Sequence, residues 1–321
     1  MAEIPRAQIV TLTINPAVDV STSVKKMVAF TKMRCAEAQR DPGGGGINVA
    51  RVLKRLGIEA TAIYPAGGAI GQLLATLVER EGVRSIVIPT FNDTREDITI
   101  FDETSREQFR LVFPGAPLSH LEWQECLGSI ARIKPQPAFV IASGSLPAGV
   151  PDDFFGRVAQ ESGEHSKVIV DTSGPFLKAA LERGAYLIKP NLHEFWQLAG
   201  IAASDDAALI EAGRRLFDRY RVEVIAISMG PEGALLVTRD MAWRANGLPI
   251  EPVSVSGAGD SFLGAMVWSL VNNNSLEMAL RYGVAGGSAA LLNPGTELCR
   301  SEDVHRLASE VIVTPIARDH R

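Results

Sequence analysis

Apolar and polar positions repeat in a regular rhythm along most of this chain. Short runs rich in β-branched residues are separated by longer stretches in which apolar residues recur every three or four positions. The short runs predict buried strands, and the stretches between them predict amphipathic helices. Such alternation is typical of an α/β protein whose mainly parallel, doubly wound sheet carries helices on both faces.

The positions of the predicted elements follow from this rhythm. Strands are predicted at residues 8–13, 61–65, 84–89, 138–142, 167–171, 185–189 and 223–228, with a late hairpin at 233–238 and 241–246. Helices are predicted at residues 47–56, 72–81, 152–160, 174–183, 194–199, 206–220 and 276–292. Residues 314–321 are predicted to form a loose tail.

Two segments depart from the rhythm. Residues 20–41 lack a helical period and predict short strands that leave the main sheet. Residues 94–113 alternate between polar and apolar types and predict a hairpin that turns at 103–105. We expect both segments to form a small β-strand lid on one α/β domain that spans residues 1–321.

Composition limits the classes of function. The 321 residues are 46% hydrophobic and 21% charged, with a net charge of −5. Because the chain is acidic, a general nucleic-acid surface is not expected, and a phosphate ligand would need local positive charge. Cys35, Cys126 and Cys299 are widely spaced and predict neither a zinc site nor a disulfide framework, and no signal peptide or membrane-spanning run is visible. We therefore expect a cytoplasmic protein with no membrane partner.

A glycine-rich turn near residue 257 is the strongest candidate for chemistry. Gly257, Ala258 and Gly259 precede the carboxylate of Asp260, and an apolar run that predicts a buried helix follows. The free N–H groups at a helix start form an anion site. A carboxylate beside such a site makes sense if it takes a proton from a hydroxyl while the N–H groups stabilise a phosphoryl group. A plain helix cap after a turn is the alternative.

A second run of four glycines, residues 43–46, precedes the helix predicted at 47–56. Other polar residues follow predicted strands, among them Asp19, Ser143, Asp171, Lys189 and Ser228. In open α/β sheets, ligands bind beyond the carboxyl ends of the strands, so these residues predict a cleft. No Gly-Lys pair occurs, which excludes a Walker A loop, and neither glycine run has the spacing of a dinucleotide fingerprint.

Two of these motifs resemble the signatures of a known family. The stretches G-G-G-G-I-N-V-A-R and G-A-G-D-S-F-L-G-A, about two hundred residues apart, are similar to the paired signatures of the ribokinase-like, PfkB-type carbohydrate kinases. The intervening S-G-S-L-P, K-P-N-L-H-E and S-M-G-P-E-G resemble further motifs of that family, and N-P-A-V-D and N-D-T-R resemble its phosphosugar branch. The resemblance covers roughly residues 8 to 310.

The resemblance implies an ATP-dependent phosphosugar kinase and assigns roles to particular residues. Asp260 is implied as the catalytic base, and Gly257, Ala258 and Gly259 with it as the anion hole. The implied sugar contacts are Asp19, Gly43, Gly44, Asn48 and Ser143, with Lys32 and Arg95 for the phosphate of the substrate. The implied nucleotide contacts are Lys189, Asn191, Ser228, Gly230, Gly233 and Ser288, and Asn191 with Glu194 is implied to place Mg²⁺ through waters.

Several alternatives stay open. Asn191 and Glu194 also suit an ordinary helix start, and Lys32 and Arg95 also suit solvated charges on the lid. Many family members carry Asp-Thr before Gly-Ala-Gly-Asp where this chain has Val255-Ser256, which leaves dependence on a monovalent cation such as K⁺ open.

The acceptor and the assembly are expectations of the same kind. The expected acceptor is fructose 6-phosphate, converted to fructose 1,6-bisphosphate, with tagatose 6-phosphate and fructose 1-phosphate as alternatives. From a different class, a non-catalytic sugar-phosphate-binding regulator would need none of Asp260, Asn191 and Glu194. The resemblance further implies a homodimer in which lids from two subunits pair, and exposed lid edges would favour that pairing.

Overall fold

A computed structural model describes residues 8–203 and 205–316 of the chain. Within these ranges the strands are β1 Ile9–Leu12, β2 Ala17–Val24, β3 Gln39–Gly43, β4 Thr61–Ala66, β5 Arg84–Pro89, β6 Arg95–Asp102, β7 Gln108–Val112, β8 Phe139–Ser143, β9 Lys167–Asp171, β10 Ala185–Ile188, β11 Val222–Ser228, β12 Gly233–Val237, β13 Ala242–Asn246 and β14 Val313–Ile316. The helices are α1 Gly45–Arg55, α2 Gly68–Arg80, α3 His120–Arg132, α4 Phe154–Ser162, α5 Gly174–Arg183, α6 Leu192–Ala199, α7 Asp206–Arg219, α8 Ala258–Val271, α9 Leu276–Ala290 and α10 Ser301–Ala308.

The main sheet has ten strands in the order β14-β13-β12-β11-β10-β9-β8-β1-β4-β5. The strands from β5 through β11 in this order run parallel, and β12, β13 and β14 extend the sheet antiparallel. The chain builds outward from β1 to β5 on one side and then crosses to β8 on the other. The strand order therefore reverses between β1 and β8, where open α/β sheets bind their ligands.

Helices cover both faces of this sheet, as the alternation predicts. One core layer contains apolar residues of α1, α2, α8, α9 and α10, and the other contains those of α3 to α7. Successive strand residues enter opposite layers, as with Val140 and Ile141 of β8. Helix α8 is buried along most of its length because it packs between neighbouring helices, and Gly286 lets α9 approach it closely: a Cβ there would lie 2.5 Å from the carbonyl oxygen of Ser261.

The two segments that depart from the rhythm form a separate sheet, which we call the lid sheet, in the order β3-β2-β6-β7. Strand β2 pairs antiparallel with β3 and parallel with β6, and β7 returns antiparallel beside β6. The turn between β6 and β7 includes residues 103–105, as predicted. In the described ranges, β7 is an edge strand of this sheet.

Three expectations need correction. Residues 314–316 of the expected loose tail belong to β14, which pairs with β13, and residues 317–321 lie outside the described residues. Helices α3 and α10 have no counterpart among the predicted elements. Asp19 lies within β2, whereas the sequence pattern predicts it just past a strand end.

Two further expectations concern covalent links and membranes. Cys35, Cys126 and Cys299 are all free thiols in the structure. Across residues 8–203 and 205–316, no helix combines the length and apolar character needed to span a bilayer.

Candidate active site

A cavity of about 340 Å³ opens where β1, β8 and β9 end and the lid sheet begins. Its polar lining comes from both sheets, from three helices and from the loops between them, and it includes Asn15, Asp19, Asn48, Arg95, Asp97, Arg110, Ser143, Asp171, Glu194 and Asp260. A larger cavity of about 1100 Å³ lies at the amino ends of the parallel strands, beside Ile9, Thr61 and Phe139. None of the predicted site residues lines that larger cavity, so the chemistry belongs to the smaller one.

The start of α8 forms one wall of the active-site cavity. Gly257 precedes the helix with φ +74°, a left-handed conformation that glycine adopts without strain. A Cβ at this position would also lie 2.6 Å from Leu298 Cδ2, so two independent constraints require glycine. Asp260 lies in the first turn, where the unpaired N–H groups of the helix point toward the same space. The structure therefore confirms the predicted helix start.

Asp260 is half-buried and faces the cavity. Its Oδ2 accepts a hydrogen bond of 2.8 Å from Asn48 Nδ2 of α1. Burial and the neighbouring Asp171 raise the pKa of Asp260 to about 6, against the lowering influence of Asn48 and Lys189. A carboxylate with such a pKa is ionised at neutral pH and is a better proton acceptor than an ordinary aspartate.

The four glycines at residues 43–46 let the start of α1 contact β1, β2 and β8. A Cβ on Gly43 would lie 2.5 Å from Asp19 Oδ2, and a Cβ on Gly45 would lie 2.1 Å from Ser143 Oγ. Gly44 caps α1 with φ +112°. A side chain at position 43 or 45 would displace Asp19 or Ser143, so these two glycines set the depth of the cavity floor.

Three aspartates stand in a row across the lid sheet. Asp19 of β2 pairs with Asp41 of β3 on one side and with Asp97 of β6 on the other, which places all three on the same face. Asp41 accepts a hydrogen bond from Thr296, and Asp97 pairs with Arg95. Burial, with Asp97 adding to it, raises the pKa of Asp19 to about 6 even though Arg110 opposes the shift. An acceptor-only carboxylate in this position suits sugar hydroxyl groups.

Two arginines bring positive charge to the same cavity. Arg95 Nη1 donates to Asp97 Oδ1 at 2.9 Å and to the carbonyl oxygen of Phe113 at 2.9 Å, and Nη2 donates to the carbonyl oxygen of Asn15 at 3.2 Å. Within the described ranges, the side chain of Arg110 has neither a hydrogen bond nor a salt bridge. Arg95 is thus a cation held in place by its contacts, and Arg110 is an exposed cation that sequence reasoning missed.

Lys32 is a predicted site residue that does not line the cavity. It lies exposed in the connection between β2 and β3. Its contact with the phosphate of the substrate stays a prediction.

Asp171 and Lys189 form an ion pair under the start of α8. Lys189 Nζ lies 3.2 Å from Asp171 Oδ1, and Asp171 Oδ2 accepts a hydrogen bond of 3.2 Å from Ser143. Burial works to lower the pKa of Lys189, but Asp171 and Asp260 outweigh it and raise the pKa. A Cβ on Gly259 would lie 3.7 Å from Lys189 Nζ. The ammonium therefore adds positive charge to the anion site at the helix start.

Asn191 and Glu194 form a capping box at the start of α6. Asn191 Oδ1 accepts from the N–H of Glu194 at 2.9 Å, and Glu194 Oε2 accepts from the N–H of Asn191 at 2.8 Å. The helix-start interpretation is therefore correct, yet Glu194 also lines the cavity and Oε1 is left for other partners. No group of three or more His, Cys, Asp or Glu within residues 8–203 and 205–316 could hold a metal by itself. One carboxylate oxygen suits Mg²⁺, which keeps most of its ligands as water and phosphate.

The residues implied for the nucleotide extend from this helix toward β11. The strand-end turn of Ser228 pairs with Asn191 through a parallel bridge, and the N–H of Ser228 donates to the carbonyl oxygen of Pro190 at 3.1 Å. Gly230 and Gly233 follow with φ +57° and +94° around a 3₁₀ turn. Ser288 is half-buried on α9, next to Gly287, which approaches the first turn of α8: a Cβ there would lie 3.3 Å from the carbonyl oxygen of Ala258.

Three residues in the cavity have no role assigned from the sequence. Asp171 could be included in the site from the sequence, because it stands at the end of a predicted strand. Asp97 and Arg110 could not be included from the sequence, because the pairing register of the lid strands decides whether their side chains face the cavity. Asp97 lies opposite Asp19, and Arg110 lies opposite Thr99.

Comparison with known proteins agrees with this geometry. Residues 10–303 match the model of the pfkB family carbohydrate kinases. The chain belongs to this family. It is therefore a carbohydrate kinase, a phosphotransferase with an alcohol group as acceptor, and the resemblance carried by the two glycine-rich motifs is confirmed.

Two relatives with similar sequences are both 6-phosphofructokinases. The chain is 41% identical to ATP-dependent 6-phosphofructokinase isozyme 2 of Mycobacterium tuberculosis, over 94% of this chain and 89% of the relative. It is 38% identical to the isozyme 2 of Escherichia coli, over 94% of this chain and 97% of the relative.

Solved structures of phosphofructokinase-2 from Escherichia coli show the same fold. The complex with potassium superposes with a TM-score of 0.90 at 37% identity, and the complex with fructose-6-phosphate with 0.89 at 36%. Each comparison covers 95% of this chain and 99% of the other. The predicted class, a doubly wound mainly parallel sheet with a strand lid, is confirmed.

Proposed function

We propose that this carbohydrate kinase transfers the γ-phosphoryl group of ATP to fructose 6-phosphate and forms fructose 1,6-bisphosphate. The observation that carries the proposal is the composition of one cavity. It combines a proton acceptor at an anion-binding helix start, Asp260, with two lid arginines, Arg95 and Arg110, on the side where the sugar would lie. In a protein of net charge −5, local cations of this kind are what a phosphorylated acceptor requires.

The residues divide the reaction between them. Asp260 takes the proton as the acceptor hydroxyl attacks the γ-phosphorus, and the bond from that phosphorus to the bridging β–γ oxygen breaks as ADP leaves. The N–H groups at the start of α8, with Lys189 beside them, stabilise the charge on the transferred group. Asp19 and Asn48 hold sugar hydroxyls, and the turn at Ser228 and Gly230 lies along the nucleotide.

Two cations belong to this proposal. Glu194, held by Asn191, would hold Mg²⁺ through water, and the ion would neutralise charge on the ATP phosphates. A K⁺ site stays a prediction, and it would lie near Val255-Ser256, in the loop that precedes α8. The loop that precedes α8 lies against the loop that follows α9, since Ser254 Oγ donates to the carbonyl oxygen of Gly295 at 2.7 Å.

Release of ADP across a panel of phosphosugars tests the proposed substrate. We expect the highest kcat/KM with fructose 6-phosphate, lower values with tagatose 6-phosphate and fructose 1-phosphate, and little release with fructose. A higher value for either alternative phosphosugar would reassign the acceptor. Sugar-phosphate binding without ADP release from any of them would instead identify a regulator on a kinase fold.

Replacement of Glu194 by glutamine should raise the Mg²⁺ concentration needed for half-maximal rate. Glutamine keeps the hydrogen bond to the N–H of Asn191, so the capping box and α6 remain, while the charge that attracts the hydrated ion is lost. The measurement is a Mg²⁺ titration at saturating ATP and sugar. Glu297→Gln, outside the cavity, is a matched control. An unchanged titration for Glu194→Gln would mean that the pair serves only the helix.

We propose further that two copies pair through the lid sheets. The face of the lid sheet opposite the three aspartates carries apolar side chains: Val20, Ile98, Ile100, Phe109 and Leu111. Leu111 is 49% exposed and Phe109 is 38% exposed. Phe30, in the connection that follows β2, is fully exposed. An exposed apolar face on a sheet with an unpaired edge strand favours association with a partner chain. A second copy would also deliver Lys32 toward a cavity.

Light scattering at micromolar concentration should therefore show a dimer. Leu111→Glu should shift the protein from dimer toward monomer, because a charge on this face opposes burial of the face against a second copy. Activity should fall in step with the loss of dimer. Leu121→Glu is the matched control, since Leu121 is 77% exposed on α3, away from the lid. A fully active wild-type monomer would contradict the proposal.

A further inference from the structure

A buried arginine lies beneath the active site without reaching the cavity. Arg51 follows Asn48 by three residues on α1 and is only 1% exposed. Residues three apart on a helix share a face, so its guanidinium points along the same side as the Asn48 amide. Arginine is almost never this buried unless its charge is paired.

The partners of Arg51 lie on three elements. Nη1 donates to the carbonyl oxygen of Pro42 at 3.0 Å, in the strand that leads into the glycine run. Nη2 donates to Glu81 Oε1 at 2.8 Å, just after α2, and lies 3.9 Å from Asp41 Oδ1 of β3. These contacts hold the guanidinium in one orientation.

The remaining contact leads to the proposed base. Arg51 Nη1 donates to Asn48 Oδ1 at 3.1 Å, and Asn48 Nδ2 donates to Asp260 Oδ2 at 2.8 Å. An amide has a donor side and an acceptor side that differ little in shape, so either could face the carboxylate. Because Arg51 can only donate, it requires Oδ1 on its own side and so directs the NH₂ group toward Asp260.

We propose that Arg51 is a positioning residue for proton transfer, which fixes the Asn48 amide so that it donates to Asp260. The inference rests on the proposed role of Asp260 as the base. Without Arg51, the amide could rotate and present its oxygen to the carboxylate. The carboxylate would then lose a hydrogen bond that favours its ionised form.

Other groups also face Asp260. Asp171 raises its pKa, whereas Lys189 and Arg110 lower it, and Asp19 is coupled to it across the cavity. The charge of Arg51 itself lowers the pKa of Asp19. The informative change at Arg51 is therefore one that keeps the charge and removes the planar fork.

The test uses kcat/KM against pH for wild type, Arg51→Lys, Asn48→Ala and the double variant. Lysine keeps the charge but cannot hold Pro42, Glu81 and Asn48 at once. We expect Arg51→Lys to move the acidic limb of the pH profile upward by about 0.5–1 pH unit, with a matching loss of about two- to fivefold in kcat/KM at pH 6 and little change in KM for ATP. Asn48→Ala should move the limb similarly, and the double variant should move it no further than Asn48→Ala alone.

Glu81→Gln is the matched control. It weakens the same buried cluster, but its amide oxygen can still accept from Arg51, so Tm should fall while the acidic limb stays in place. Additive shifts in the double variant, or an unmoved limb in Arg51→Lys, would overturn the proposal. A wild type that lacks kinase activity would instead refute the proposed function.

A second pair of substitutions keeps the test decisive if Arg51→Lys yields too little folded protein. Arg51→Met combined with Glu81→Leu replaces the ion pair by apolar side chains, an exchange that proteins often tolerate. Because this pair also removes the charge that lowers the pKa of Asp19, it is compared with the same pair plus Asn48→Ala. The acidic limb should move no further when Asn48 is also replaced, and an additional shift would overturn the proposal.

Discussion

Replacement of Asp260 by asparagine is expected to lower kcat by about 10²–10⁴-fold while binding of fructose 6-phosphate changes little. Asparagine has the same size and can still pair with Asn48, but it cannot take the proton of the attacking hydroxyl. Steady-state kinetics with a coupled ADP assay measures the loss, and calorimetric titration with the sugar measures binding. Turnover close to wild type would remove Asp260 from the mechanism.

The pH dependence offers an independent check on the same residue. Since Asp260 and Asp19 both have a pKa of about 6, kcat/KM of the wild type should be level near pH 8 and fall below pH 6, with a slope that approaches two. The Asp260→Asn variant should keep only the part of the limb that belongs to Asp19.

Asp260→Asn should lower activity but raise folding stability at high pH. A carboxyl group whose pKa is raised from 3.8 to about 6 on folding binds its proton more tightly in the folded state. Its contribution to stability is present below pH 4 and is lost as pH rises through 6. Asp260→Asn should therefore be more stable than wild type at pH 8, by on the order of 1–3 kcal/mol, and the advantage should vanish near pH 4. Thermal unfolding at both pH values measures this, and it also shows that the variant is folded.

Replacement of Arg95 by alanine is expected to raise KM for fructose 6-phosphate by about ten- to a hundredfold, and KM for ATP hardly at all. Loss of one charge-assisted contact costs about 1.5–3 kcal/mol. The structure places the effect toward the upper end, because the change also leaves Asp97 without its cation next to Asp19. Two unpaired carboxylates would then repel the phosphate of the sugar.

Three comparisons separate substrate binding from lid folding. Arg95→Lys should recover only part of the loss, since it keeps the charge but cannot hold Asp97 and two carbonyl oxygens together. Arg110→Ala should raise KM for fructose 6-phosphate with no loss of Tm, because the side chain of Arg110 has no hydrogen bond or salt bridge within the described ranges. If Arg95→Ala weakened residual activity on unphosphorylated fructose by the same factor, the residue would support the lid, and the phosphosugar proposal would lose its main support.

The layout of the main sheet could be predicted from the sequence because it depends on local pattern. Strand β5 and helix α5 have the predicted limits, since each is bounded by glycine or proline and has one clear period. Helix α3 escaped prediction although Ser119 and Glu122 form a capping box before it. Strand β14 has β-branched residues but also contains Pro315, which argues against a strand except at a sheet edge, and its pairing with β13 places it at that edge.

The site divides in the same way. Asp260, the glycines before it and the glycines at 43–46 were evident from the sequence, because an anion site at a helix start needs a local arrangement of small residues and one carboxylate. Tertiary structure alone decided that Arg110 and Asp97 enter the cavity, since a shift of one residue in lid register would turn both outward. It also decided that Asn48 links Arg51 to Asp260, a contact between residues 212 positions apart. Local chemistry is determined by neighbours in the chain, whereas the partners of a charged side chain are determined by which elements pack against it.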